Sequence, residues 1–437
     1  MITSQVFHFV SYDYDRQTHE ARLHYRFDED PILTDTVTFN FEPMTGYDEA
    51  VLDRVLRGLW LMSGVSYLKA KLPSEIEVHG TQLSQAEADF FSQTYRLGLG
   101  QLCYESNVSL DRVARFGASL AAPLEPLAYR GEGSLLAFGG GKDSLVSAGL
   151  LKDEPRLATL SATYSPGAGR ALALAAADLG VPHLSVTRTF DPALAGMSAQ
   201  GFNGHVPVSA VIGFIGLAAA VLTGRKNFVF SNEASAGEGN VVYEGVEINH
   251  QYSKSLEYER AFAKYIASTI SPDLMSFSLL RPLGELAIAE LFVAQQWPRF
   301  KYQFSSCNRS FVSASAGYVW CGDCPKCAFV FLILAPFVPR DELVSVVGVD
   351  MFEQPGLEKV FGELLGLSGH KPFECVGEIE ECQEALRMVQ RGGGYPAASQ
   401  WQVPNGHLAY REMHASLLDA DKLALVRRAL GALGLQA

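Results

Sequence analysis

The stretch "LLAFGGGKDSLVSAGLL", residues 135–151, sets three glycines, a lysine, an aspartate and a serine between two apolar runs. A short strand, a glycine-rich turn and a helix in that order place free backbone N–H groups at the positive end of a helix dipole, which makes an anion site. Glycine permits the positive φ and the close approach that such a turn needs. The Walker spacing G-x4-G-K-[ST] fails, because with Gly141-Lys142 as its G-K the first glycine falls on Leu136 and Asp143 follows the lysine. The dinucleotide fingerprint G-x-G-x-x-G fails at Ser144. What is left is a phosphate-holding loop of another kind, with Gly139, Gly140, Gly141, Lys142, Asp143 and Ser144 as nucleotide-binding candidates. The plainer alternative is a glycine turn carrying a surface Lys–Asp pair.

The segments around this loop predict an α/β fold with a doubly wound parallel sheet. From 134 to about 335 short apolar strands ("SLLAF", "RLATLSATY", "HLSVTRT", "NFVFSNE") alternate with helical stretches, and that βαβ rhythm implies parallel strands. Residues 1–125 read as an N-terminal α+β domain. Two partly alternating runs, "QVFHFVSYDYD" and "EARLHYRF", suggest a hairpin, and Ser84 with Glu87 forms a capping box. The proline- and glycine-bearing "APLEPLAYRGEG" reads as the linker, residues 126–340 as the phosphate-loop domain and residues 341–437 as a helical C-terminal region.

The chain has 437 residues, ample for two to three domains, and a globular balance of 48% hydrophobic and 19% charged residues. A net charge of −13 and the lack of basic, aromatic-interleaved stretches disfavour a nucleic-acid binder. The N-terminus has no basic region followed by an apolar core, and no apolar run reaches the roughly 18 to 20 residues that span a bilayer. The reading is a cytoplasmic protein without a membrane partner, with "VSAVIGFIGLAAAVLTG" (208–224) as a buried helix.

Seven cysteines, an odd count, argue against a secreted disulfide framework. Cys307, Cys321, Cys324 and Cys327 are spaced C-x13-C-x2-C-x2-C, enough thiolates to close a tetrahedral zinc shell of structural type. An iron–sulfur cluster or a redox role is the alternative for them. Cys103 and Cys382 read as ordinary core or surface residues, whereas Cys375 in "HKPFECVGE" lies outside any periodic element and is a candidate site residue. "FVFSNEASAGEGN" follows a strand, and loops at the carboxyl ends of parallel strands line the ligand crevice, so Asn232 and Glu233 are binding candidates. "EINHQYSKSLEYER" packs seven hydrogen-bonding side chains together. Asn249 and Ser253 there are binding candidates, and His250 and Lys254 are proton-transfer candidates. Arg188 and Arg309 are candidate phosphate or carboxylate clamps, with ordinary salt bridges as the alternative.

The loop at 139–144 resembles the S-G-G-x-D-S loop of the PP-loop ATP pyrophosphatases at five of six positions, with Gly139 in place of the first serine. That resemblance implies ATP and Mg2+, and cleavage between the α and β phosphates. "FGGGKDSL", "SNEAS", "NHQYSKSLEYE", "SCNRSF", "WCGDCPKCAFVFLILAPF" and "FECVGE" together resemble the MurL family, the ATP-dependent epimerases of UDP-N-acetylmuramoyl-L-alanyl-L-glutamate. The resemblance implies a UDP-muramoyl dipeptide substrate, inversion of its terminal glutamate, and AMP and pyrophosphate as by-products. A PP-loop enzyme of tRNA or nucleobase modification is the rival reading, and a non-catalytic nucleotide sensor is a further one.

Overall fold

The computed structural model describes residues 5–119, 123–164, 166–307 and 320–434. Its strands are β1 (Val6–Asp15), β2 (Glu20–Phe27), β3 (Leu33–Phe39), β4 (Glu75–Val78), β5 (Ser134–Ala137), β6 (Ala158–Thr163), β7 (His183–Thr189), β8 (Asn227–Phe230), β9 (Val241–Tyr243), β10 (Val246–Ile248) and β11 (Met275–Ser278). Nine of them form one sheet in the order β11-β8-β5-β6-β7-β3-β2-β1-β4, and β9 and β10 form a separate hairpin. Five of the eight neighbouring pairs in the large sheet are parallel. The architecture is mixed α/β with a large, mostly parallel sheet, followed by a helical C-terminal region.

Alternation along the central strands divides the core in two. Leu135 and Phe228 point into one apolar cluster, and their neighbours Leu136 and Val229 point into the other. Helices Glu49–Ser63 and Val208–Leu222 cover the first face, and helices Lys142–Leu151, Glu285–Gln295 and Pro325–Leu334 contribute to the second. The apolar helix Val208–Leu222 is buried along nearly its whole length, as its composition predicts. It lies so close to the sheet that a Cβ at Gly216 would come within 2.2 Å of the Phe228 ring. No helix among the described residues is long and apolar enough to cross a membrane.

The predicted hairpin is β1 and β2, and the capping box at Ser84 and Glu87 is present. The three N-terminal strands are not a sheet apart. β3 pairs antiparallel with β7 and so extends the parallel strands into one surface that runs across residue 125. A buried ion pair marks this seam, with Arg188 Nη2 2.6 Å from the Asp35 carboxylate, and the same guanidinium also donates to the Ser63 carbonyl and the Ser66 hydroxyl. Arg188 therefore has its partners in the seam. β11 and the helix Glu285–Gln295 are not legible in the sequence, since an alternation of four residues such as "MSFS" is too short to single out a strand and the run "ELAIAELFVAQ" is apolar on most faces.

The strand order reverses between β5 and β8. Such a reversal opens a crevice at the carboxyl ends of the strands. The loops that follow these two strands are the glycine loop and "SNEAS", and Ser231 Oγ is 2.8 Å from Ser147 Oγ, fastening one to the helix of the other.

Removing one member of the seam pair leaves a buried charge unmatched. Arg188→Met should cost about 3–5 kcal/mol in urea unfolding, with much of it recovered in Arg188→Met/Asp35→Asn. A loss below about 1 kcal/mol would show that the pair does not hold the seam.

Candidate active site

The glycine loop begins where β5 ends. Gly140 has φ +69°, the left-handed conformation glycine adopts at little cost, and Gly141 is extended as the N-cap of helix Lys142–Leu151. Its N-cap Gly141 makes no side-chain cap, so among the described residues its first N–H groups are left for another partner. A Cβ at Gly139 would meet no atom within 4 Å. The serine of the S-G-G-x-D-S pattern would therefore fit, and its absence removes a hydroxyl without reflecting a steric demand. Ser144 Oγ donates to the Gly141 carbonyl at 3.0 Å and braces the turn.

Lys142 is almost fully buried, which is rare for a lysine without partners. Its ammonium is held between the carboxylates of Asp143 and Glu285. Burial alone would lower its pKa, but these two carboxylates outweigh that and raise it, so the ammonium is kept. Burial raises the pKa of Glu285, and the charges of Asp143 and Glu233 push the same way against Lys142. Glu285 opens its helix at the position after Gly284. Beneath it, the buried Glu381 accepts the backbone N–H of Leu286 at 3.0 Å, capping that helix from another element. Burial, with Glu285 nearby, lifts the Glu381 carboxyl to about 7.

A second group of charges adjoins the first. Lys254 Nζ lies 3.1 Å from Cys375 Sγ and 3.5 Å from Gln251 Oε1, and Gln251 in turn donates to the Val376 carbonyl at 3.2 Å. Lys326 donates to the Cys375 carbonyl. Burial would raise the Cys375 thiol, but Lys254 and Lys326 outweigh it and leave the thiol below its ordinary value. Burial works against the Lys254 ammonium too, yet Cys375, Glu233 and Asp143 raise its pKa. The charges of Asp143 and Glu233 thus reach both the glycine loop and the Lys254–Cys375 pair.

Of the remaining predicted residues, those described sit on the segments that follow β8 and β10. Glu233 is buried, and its carbonyl accepts from Arg281, whose guanidinium is paired with Glu259 at 2.8 Å. Asn232 is half-buried beside it. Asn249 builds the turn, its side chain donating to the Ala236 carbonyl at 2.8 Å and accepting Gln251 N–H at 2.6 Å. Ser253 is buried in the short helical turn Tyr252–Lys254. His250 Nδ1 is 2.6 Å from Gln101 Oε1, and its ring lies 4.2 Å from that of His205. Burial and the Lys254 charge lower His250 to about 4, so the ring is neutral at pH 7. Arg309 lies outside the described residues.

The ligand atoms of Cys307, Cys321, Cys324 and Cys327 lie within 4.8 Å of one another, with Cys321 Sγ and Cys327 Sγ 3.6 Å apart. Tetrahedral zinc with bonds of about 2.3 Å sets its sulfurs about 3.8 Å apart, so the four thiols fit that ion. Lys326 stands between two of these cysteines, and the knuckle that gathers them also aims this lysine at Cys375. Cys103 and Cys382 are buried in the two cores.

Three site residues escaped the sequence reading. Glu285 and Glu381 look like ordinary first-turn acids of their helices, and Lys326 looks like filler between ligands. A signal existed for Glu381, since Cys382, Ala385 and Leu386 place it beside the apolar face of its helix.

Comparison with known proteins bears on this arrangement as a whole. The family model for the MurL N-terminal domain matches residues 2–279, and that for the MurL C-terminal domain matches residues 303–402. A curated protein of Xanthomonas oryzae pv. oryzae is 39% identical over 88% of this chain and 85% of its own length. Relatives from a Micromonospora species and from Salinispora tropica are 38% and 36% identical, over 88% and 89% of this chain and 86% of theirs. All three bear the name UDP-N-acetyl-alpha-D-muramoyl-L-alanyl-L-glutamate epimerase. A solved structure of A-type ketoreductases from a modular polyketide synthase superposes with a TM-score of only 0.17, at 16% identity over 53% of this chain and 54% of that one, too low to bear on the fold. The two matched domains account for most of the residues, from the N-terminal strands through the glycine loop to the cysteine knuckle and Cys375, and the chain belongs to the MurL family.

Proposed function

We propose that this chain is an ATP-dependent epimerase that converts the terminal L-glutamate of UDP-MurNAc-L-Ala-L-Glu to D-glutamate for peptidoglycan synthesis. The observation that carries the reading is the placement of a thiol–ammonium pair, Cys375 and Lys254, within electrostatic reach of a glycine loop that opens a helix with a buried lysine. The names of the family relatives supply the substrate.

The α-proton of a terminal glutamate with an ionised α-carboxylate is hard to remove because a second negative charge would form beside the carboxylate. Attack of that carboxylate on the α-phosphorus of ATP forms a carboxyl–AMP bond and expels pyrophosphate. The charge is cancelled and the α-proton becomes more acidic. Each roughly 1.4 kcal/mol taken off the barrier is tenfold in rate. Water then cleaves the carboxyl–phosphate bond after inversion, so ATP and water give AMP and pyrophosphate overall. The open N–H groups of helix Lys142–Leu151 and the Lys142 ammonium hold phosphate oxygens. Asp143, Glu233 and Glu285 supply oxygen donors that fit Mg2+, a hard cation that would neutralise phosphate charge there.

The Cys375 thiolate takes the α-proton. Lys254, protonated at the start, steadies the thiolate and the developing enolate and returns a proton to the opposite face of the α-carbon, after which the Cys375 thiol passes its proton to the Lys254 amine and both groups are reset. His250, neutral at pH 7, completes the pocket by hydrogen bonding. Asn232, Glu233, Asn249, Ser253 and Arg309 are the side chains for the dipeptide and its carboxylates. The four-cysteine knuckle fits structural zinc, which would lock the segment that presents Lys326.

Cys375→Ala should abolish solvent deuterium incorporation at the glutamate α-carbon while pyrophosphate release continues. Incorporation that survives in Cys375→Ala, Lys254→Met and His250→Asn alike would remove all three as proton carriers. Because a nearby cation lowers a thiol's pKa, Lys326→Met should move the acidic limb of the epimerisation profile to higher pH, and an unmoved limb would detach Lys326 from the thiol. Stripping zinc with a chelator should cut epimerisation and lower the melting temperature together, both restored by Zn2+, whereas full activity of zinc-free protein would refute the knuckle's role.

A further inference from the structure

A second group of metal-ligating side chains lies far from the glycine loop in the strand order, at the β4 edge of the sheet. Phe7 and Phe9 of β1 point into the core, so His8 between them points to the other face. Its parallel partner on β4 is Glu77, and His79 follows two residues later, fixed by its backbone N–H donating to the Phe9 carbonyl at 3.0 Å.

These three side chains converge on one point. His8 Nδ1 is 3.0 Å from His79 Nε2 and 3.2 Å from Glu77 Oε2, and His79 Nε2 is 3.8 Å from the same oxygen. For a triangle with these sides, the point equidistant from all three atoms lies about 2.0 Å from each, and zinc bonds to imidazole nitrogen and carboxylate oxygen are about 2.0–2.2 Å. Protons serve the arrangement poorly. If His79 donates to His8 Nδ1, the carboxylate oxygen faces an occupied lone pair. If His8 donates instead, one hydrogen is shared between two acceptors. A cation at the centre satisfies all three lone pairs at once. Arg26, the cross-strand neighbour of His8, is paired with Glu29 at 3.4 Å and so has its own counter-charge.

We propose that His8, Glu77 and His79 form a divalent transition-metal site, distinct from the cysteine knuckle. Two imidazoles and one carboxylate suit zinc and its first-row neighbours better than Mg2+ or Ca2+. Three protein ligands leave coordination positions open, and the half-exposed Glu77 and His79 side chains place them toward solvent. The ion clips the four-residue edge strand β4 to β1 across the end of the sheet.

The test is calorimetric titration of Zn2+ into the full chain with its cysteine knuckle already filled. The expected result is one further equivalent bound, with His79→Asn and Glu77→Gln each weakening it at least about tenfold. Both side chains are half-exposed, so the variants should melt at the parent temperature without added metal, and added Zn2+ should raise the melting temperature of the parent but not of His79→Asn. No further equivalent, or one held unchanged by both variants, would overturn the proposal. Binding of Mg2+ as strong as that of Zn2+ would also overturn it.

Discussion

A lysine ammonium withdrawn from water must be matched by negative charge, and the arrangement of the site follows from that constraint at Lys142. Its position just after the glycine turn forces Asp143 and Glu285 to it. Glu285 is available only because its helix packs on the Lys142 helix, and that helix begins where it does because Glu381 caps it from the C-terminal region. A buried pair of this kind is weak evidence for stability, since desolvation offsets most of its Coulombic gain. Its persistence makes better sense as preorganisation. Under the nucleotide chemistry proposed above, a cation already stripped of water would need only to exchange carboxylates for phosphate oxygens.

The same logic links the three lysines. Lys142 faces carboxylates, whereas Lys254 and Lys326 face Cys375, one through the thiol and one through the backbone carbonyl. Asp143 and Glu233 act on Glu285 and on Lys254, and Glu285 acts on Cys375, so the loop's charges and the thiol–ammonium pair are electrostatically linked. A single electrostatic field thus spans the place suited to phosphate and the place suited to proton transfer.

Local features were legible in the sequence. The hairpin, the capping box, the strands flanking the glycine loop and the cysteine spacing each depend on residues close together in the chain. What was not legible depends on distant segments meeting. Nothing near "LTDTVTF" announces that β3 will pair with β7, because the match lies in the register and in Asp35 meeting Arg188. Glu285, Glu381 and Lys326 become site residues only when their helices pack, and a lone acid in a first helical turn has an ordinary explanation in the helix dipole. Cys375 stood out because no period accounted for it, and the structure sets two lysines beside it. Arg188, in contrast, was open to a ligand role and has structural partners.

The central claim is that the loop's phosphate chemistry serves inversion at carbon. Its most direct test is incubation of the protein with ATP and UDP-MurNAc-L-Ala-L-Glu, followed by hydrolysis of the product and chiral analysis of its glutamate. The account predicts D-glutamate in the product, formed together with AMP and pyrophosphate and only when ATP is present. Glutamate that stays entirely in the L form while AMP accumulates would contradict it.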